Sequence, residues 1–162
     1  MRASPAPINL FDADGTCVWG NDAVLDLLGL EERDELVGRS IFEFIHVDDH
    51  ETARRELRAA VEDKRSVGPT RMELVRDDGE HREIQVATAP GRYGDRDVGQ
   101  AVVVDVTPVL EAEASLREER RFVERALDGL EDVFFVVDEA GGLQRWNQRA
   151  VEASGYAEER FA

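Results

Sequence analysis

The sequence is poor in residues that build covalent or metal-held scaffolds. Its 162 residues include one cysteine, Cys17, which excludes an intramolecular disulfide and a cysteine-based zinc cluster. Lysine is nearly missing as well. Lys64 stands alone, and every other basic residue is an arginine. With 36 acidic against 20 basic residues the net charge is −16, a surface that repels nucleic-acid backbones and anionic membranes. Neither is expected as a partner of this chain. No apolar run approaches the ~20 residues needed to span a bilayer. Met1 to Pro7 carry one Arg and no apolar signal-peptide core, so the expected setting is cytoplasmic. Gly-rich phosphate loops, nucleophile elbows and HExxH motifs are lacking too. So are a histidine-kinase dimerisation helix and a helix-turn-helix. The chain is therefore not expected to be an enzyme, and its many carboxylates in so acidic a sequence say nothing about acid–base work.

What is present suffices for a core, since 42% of the residues are hydrophobic, and the sequence begins the same unit twice. Phe11-Asp12-Ala13-Asp14-Gly15 returns as Val137-Asp138-Glu139-Ala140-Gly141, and the match continues without a gap. Asn21 meets Asn147, Asp26 meets Glu152, Gly29 meets Gly155 and Glu32 meets Glu158, all 126 residues apart. A register held through such different residue types marks an internal repeat. Trp19 and Trp146 fall one position out of register and read as core packing.

The first unit reads as α+β. Ile8–Asp12 and Thr16–Gly20 are short apolar stretches around Asp-Ala-Asp-Gly, a hairpin connection in which Gly15 supplies φ > 0. Asn21 or Asp22 caps a helix carrying Val24, Leu27 and Leu28, which Gly29 stops. Two turns follow, at Glu32–Val37 and Ile41–Ile45. Asp48 or Asp49 then opens a longer helix with the stripe Ala53, Leu57, Ala60 and Val61. Alternation at Arg71–Leu74 and Arg82–Val86 around Asp77-Asp78-Gly79 marks a hairpin. After Tyr93-Gly94-Asp95 comes a last strand, Val98–Val106. The expected architecture is a five-stranded antiparallel sheet with helices on one face.

These residues carry a resemblance. Asp12-x-x-Gly15 with Asn21 and Leu28-Gly29 resembles the opening of PAS domains. Phe44-Ile45-His46-Val47-Asp48-Asp49 resembles their acidic turn, with Val47 where proline is usual. Arg76-Asp77-Asp78-Gly79-Glu80 resembles their charged hairpin, and Asp105-Val106-Thr107 their "DIT" ending. The likeness runs from about Ile8 to Thr107 and returns from Val137 to Phe161. It implies a concave sheet closed by helices, used to bind small ligands or to dimerise, often upstream of histidine kinases or transcriptional outputs. Separately, the acid-rich, lysine-poor composition resembles that of proteins from salt-in halophiles.

The implied divisions are a PAS unit at 8–107, a connector helix at 108–130 and the start of a second PAS unit at 131–162. Thr107 and Pro108 suit a helix start. Val109, Leu116, Val123 and Leu130 recur every seven residues, with Ala112 and Ala126 between them and Glu119 interrupting. That narrow seam favours a parallel homodimer over a helix folded back on its own sheet. The second copy stops after the equivalent of the first helix. A fragment of that kind leaves an open sheet edge, so it is expected to be mobile or docked. The simplest origin is a piece of a longer sensor or a truncated paralogue.

Candidate pocket residues are Leu25, Leu28, Phe42, Leu57, Met72, Leu74, Ile84, Val86, Val102 and Val104, which line either a ligand cavity or a filled core. His46 and His50, one turn apart on a helix, raise the possibility of a metal, but two histidines leave a zinc site short of ligands. No metal is expected. Cys17 lies in an early strand, away from the helical motif of flavin-adduct PAS members. Glu51 to Lys64 contains no haem-ligating histidine. No cofactor is expected, and flavin and haem are both disfavoured. Three functions stay open: a sensory module relaying small-ligand or partner binding through the helix, a constitutive dimerisation scaffold, and a redox or light sensor.

Overall fold

A computed structural model describes residues 6–154, and the chain divides into two compact units, Met1–Pro108 and Val109–Ala162. The repeat partners Gly155 and Glu158, and Phe161 at the limit of the second resemblance, lie outside the described residues.

In the first unit, β1 (Ile8–Phe11) and β2 (Cys17–Gly20) form the expected hairpin. Asp12 Oδ1 accepts from the N–H groups of Asp14 and Thr16 at 3.0 and 2.9 Å, and Gly15 sits at φ +83°. A Cβ there would lie 2.9 Å from the Phe42 ring, so both the turn and close packing require glycine. Helix α1 (Asp22–Leu28) is capped by Asn21 and ends on Gly29 in the left-handed region. Short 3₁₀ turns at Arg33–Glu35, Ile41–Glu43 and Val47–Asp49 lead into α2 (His50–Val61). Then come β3 (Val67–Val75), β4 (His81–Tyr93) and β5 (Arg96–Asp105).

The five strands run antiparallel in the order β2-β1-β5-β4-β3. The fold is α+β and PAS-like, as the sequence predicts. Residues of α1 and α2 converge on the same face of the sheet. The edge of β3 is partly covered: His46 N–H donates to Glu73 O, Val75 N–H donates to Phe44 O, and Ile45 bridges Leu74.

Three local expectations differ. The alternation at Arg82–Val86 marks only the first half of β4, which continues through Pro90 to Tyr93. Proline fits there because β3 pairs with β4 only as far as Thr88, leaving Pro90 paired with β5 alone. Asp49 does not cap α2 with its side chain; its Oδ2 instead accepts from Glu73 N–H at 2.8 Å. Thr107 lies inside the helix that follows β5, and its hydroxyl is engaged with Glu83.

That helix, α3 (Thr107–Asp128), buries none of its residues. In the second unit β6 (Phe135–Val137) pairs with β7 (Leu143–Trp146), followed by α4 (Gln148–Ser154).

Candidate functional site

One face of the sheet and the helices over it line a cavity of about 70 Å³. Strands contribute Phe11, Met72, Leu74, Ile84, Val86, Ala101 and Val103; helices contribute Val24, Leu27, Leu28, Ala53 and Leu57; Phe44 and Ile45 close one side. Of the candidate pocket residues, Leu28, Leu57, Met72, Leu74, Ile84 and Val86 line this space.

Four do not. Leu25 is buried in the core away from the cavity wall. Phe42 is half-buried against the core, edge-on to the His50 imidazole with ring centres 5.4 Å apart and capped by the Arg54 guanidinium. Val102 and Val104 lie on the opposite face of β5, Val104 being 50% exposed. Pairing sets this phase. Val103 faces Val86 and Ala101 faces Thr88 across β4, so the odd-numbered residues of β5 share the inner face. The run Ala101–Val104 is apolar at every position. It therefore offers no alternation, and a one-residue slip moves every side chain to the other face.

The cavity is not wholly apolar. Glu56 and Thr88 line it while only 5% and 4% exposed, and Thr88 Oγ1 donates to Glu56 Oε2 at 3.3 Å. Asn9 adds an amide, its Nδ2 turned to Cys17 Sγ at 4.0 Å. Burial pushes the Cys17 thiol up to about 11, with the Asn9 contact opposing. Sequence reasoning missed Glu56, although a signal was there. Glu56 stands three residues after Ala53 and four before Ala60, inside the apolar stripe of α2.

His46 and His50 are not brought together. His50 Nε2 sits 3.0 Å from Phe42 O and 2.9 Å from Ile45 O. Two carbonyls can only accept, so Nε2 carries the proton and ties the loop to α2. His46 turns to Glu73 at 3.8 Å, and His81 Nδ1 meets the same carboxylate at 2.5 Å. The His81 hydrogen bond holds Glu73 below the usual carboxylate range. Among the described residues no cluster of His, Cys, Asp and Glu is arranged to hold a metal ion.

The way out of the sheet is tightly held. Glu83 N–H donates to Thr107 Oγ1 at 2.8 Å, while Glu83 O accepts from Val106 N–H at 2.8 Å. Asp105 Oδ1 accepts from Thr107 N–H at 2.9 Å, and its Oδ2 lies 3.6 Å from Arg82. Along α3, Val109 is 58% and Leu116 66% exposed, and Val123 is half-buried. Leu130 falls beyond the helix, which ends at Asp128 just before Gly129. The seven-residue series therefore has three helical members.

Residues 1–105 match a family model described as PAS fold, and residues 121–162 match another described as PAS domain. The chain belongs to the PAS family. Over 133 residues it is 22% identical to Sporulation kinase A of Bacillus subtilis, covering 82% of this chain and 22% of that kinase. The chain thus spans about a fifth of that relative's length. The PAS domain of an HTR-like protein from Haloarcula marismortui is 30% identical with a TM-score of 0.52, over 63% of this chain and 82% of that one. The PAS domain of nitrogen regulation protein NR(II) from Vibrio parahaemolyticus is 14% identical with a TM-score of 0.52, over 62% of this chain and 88% of that one. No helix among the described residues is long and apolar enough to cross a membrane.

Proposed function

We propose that this chain is a cytoplasmic sensory PAS module in which a small ligand in the cavity changes the state of α3. From α3 the signal passes to an output of the histidine-kinase or transcription-regulator type. One observation carries this reading. Ile84 and Val86 line the cavity, while Glu83, the residue before them, has both backbone groups bonded to the start of α3. A ligand pressing on the inner side of β4 acts on the strand that holds the helix. It shifts the equilibrium by as much as it prefers one state over the other. Likeness to a segment of Sporulation kinase A supports a place in signal transduction. Kinase activity is that protein's own; this chain, without a catalytic motif, is read as the sensory part.

The exposed apolar positions Val109 and Leu116 support a homodimer through α3. The acidic composition and the identity with the Haloarcula domain support a high-salt setting. A ligand-free dimerisation scaffold is favoured by one observation. The cavity of about 70 Å³ is roughly half the ~150 Å³ that accommodates benzene in an engineered protein core. A flavin or haem asks for several hundred Å³ on the scale of about 300–1,000 Å³ typical of ligand sites, so the redox or light-sensing reading has less support.

The test combines melting with cross-linking. Leu116→Cys places a thiol on the exposed stripe, while Cys17 is buried and does not compete. A small-metabolite panel is then screened for a rise in Tm. A compound that raises Tm and changes the Leu116→Cys cross-linking rate supports the sensory reading. No shift across the panel, with constant cross-linking, rejects it for the scaffold. Absence of any cross-link rejects the parallel dimer.

A further inference from the structure

The polar groups of the cavity gather at one end. Asn9 of β1 and Thr88 of β4 both pair with Ala101 of β5, so the three form one row across the inner face, with the smallest side chain in the middle. Glu56 joins Thr88 from α2 above. Leu28, Leu57, Met72 and Leu74 are among the apolar residues that make up the rest of the wall.

Glu56 is short of partners for so buried a group. A carboxylate offers about four acceptor sites, and the hydrogen bond from Thr88 Oγ1 engages one of its oxygens. Among the described residues, neither an arginine, a histidine nor Lys64 forms an ion pair with it. Removing a carboxylate from water is costly unless a cation or several donors replace the lost hydration. The core of α2 would be filled more simply by a leucine at this position, between Ala53 and Ala60.

We infer that Glu56 is the recognition group for a compact alkylammonium ligand, whose N–H donors meet Glu56 while its short carbon body lies against the apolar wall. This rests on the sensory reading above and names the chemistry of its ligand. Cation and carboxylate form charge-assisted hydrogen bonds, about twice as strong as neutral ones, and Thr88 Oγ1 has lone pairs to accept a further donor. The negative surface, with its net charge of −16, concentrates small cations around the molecule. Size is set by the cavity. About 70 Å³ against the ~150 Å³ that takes six carbon atoms suggests about three or four non-hydrogen atoms.

The experiment uses the full chain and three probes of three or four non-hydrogen atoms each: ethylammonium chloride, ethanol and sodium acetate, at fixed ionic strength and pH 7. Binding is followed by methyl NMR shifts of Leu57, Val86 and Val103. Ethylammonium is expected to bind at least tenfold more tightly than ethanol, and acetate not to bind. Glu56→Gln should reduce ethylammonium binding at least tenfold and leave ethanol unchanged, while the exposed-site control Glu62→Gln changes nothing. The wild-type ranking stands as a test even if Glu56→Gln fails to fold. Ethanol binding as well as ethylammonium in the wild type overturns the role of Glu56 while leaving a ligand cavity in place. Silence of the cavity methyls toward all three probes also overturns it, and the metabolite panel then decides the sensory reading separately.

Discussion

Asn21 and Asn147, 126 residues apart, have three hydrogen bonds in common, and Asn147 Nδ2 also donates to Leu127 O at 3.1 Å. Asn21 Oδ1 accepts from Ile8 and Val24 N–H at 3.0 Å each, and its Nδ2 donates to Ala6 O at 2.8 Å. Asn147 Oδ1 accepts from Phe134 and Ala150 N–H at 3.0 and 3.1 Å, and its Nδ2 donates to Asp132 O at 2.9 Å. Each partner pair keeps the offset of 126. Asp138 likewise repeats Asp12, accepting from Ala140 and Gly142 N–H. In each unit one asparagine joins the entering chain, the first hairpin and the first helix.

Replacing either asparagine by alanine should loosen its own unit. Loss of the cap costs about 1 kcal/mol, and leaving the strand N–H unsatisfied adds about 1–3 kcal/mol. Asn21→Ala is expected to lower the denaturant midpoint of the first unit. Asn147→Ala should raise amide exchange across residues 134–150 and leave Met72–Val75 protected. Equal protection of both segments in Asn147→Ala would count against this role.

Gly99 is required by Phe11. The two pair across β1 and β5, and the Phe11 ring lies where a Cβ of residue 99 would be. Gly99→Ala should destabilise by about 1–3 kcal/mol, as overpacking does. Gly91→Ala on β4 meets only ordinary contacts from 3.5 Å outward. A small stabilisation is expected there, since glycine is the more flexible residue in the unfolded chain. Denaturant melts of the two variants should move in opposite directions.

Cys17 should react slowly. With its thiol pushed from 9.0 up to about 11, roughly a thousandth is thiolate at pH 8, and alkylation should follow opening of the fold. The linkage has a definite sign: the folded state holds the proton more tightly. Stability should therefore fall as pH rises from about 9 toward 11, by about 2–3 kcal/mol in total. A rate of labelling unaffected by low urea would contradict it.

Glu73 should titrate below its ordinary value of 4.5 because His81, and then His46, favour its charged form. Its contribution to stability is present above that ordinary value and lost as pH falls through the lowered folded one. Carboxyl NMR titration should find the depression in the wild type and a return toward 4.5 in His81→Ala.

Salt should stabilise the molecule. At a net charge of −16 the folded chain repels itself, and raising NaCl from 0.1 to 1 M shortens the screening length from about 10 to about 3 Å. Tm should rise over this range; a flat or falling Tm would show that ion pairs such as Arg39–Asp77, at 2.7 Å, outweigh the repulsion.

Much of this was legible in the residues themselves, because local chemistry determines it. The Asp-x-x-Gly turns, the Asn caps, the stop at Gly29 and the charged hairpin at Asp77-Asp78-Gly79 each depend on groups a few positions apart. The repeat and the five-stranded scaffold followed from them. The inward placement of Leu28, Leu57, Met72, Leu74, Ile84 and Val86 was legible too, where alternation or helical spacing assigns a side. What periodicity could not supply was the phase of β5, since an unbroken apolar run fits either face and only pairing with β4 turns Ala101 and Val103 inward. The same holds for partners distant in sequence. Asp49 bonds to Glu73 rather than capping its own helix, His46 joins His81 rather than His50, and Thr107 turns to Glu83. Glu56 is the clearest case: in the sequence it is one acid among 36. Only packing of α2 against the sheet, which strips its water and leaves it beside Thr88, sets it apart from the rest.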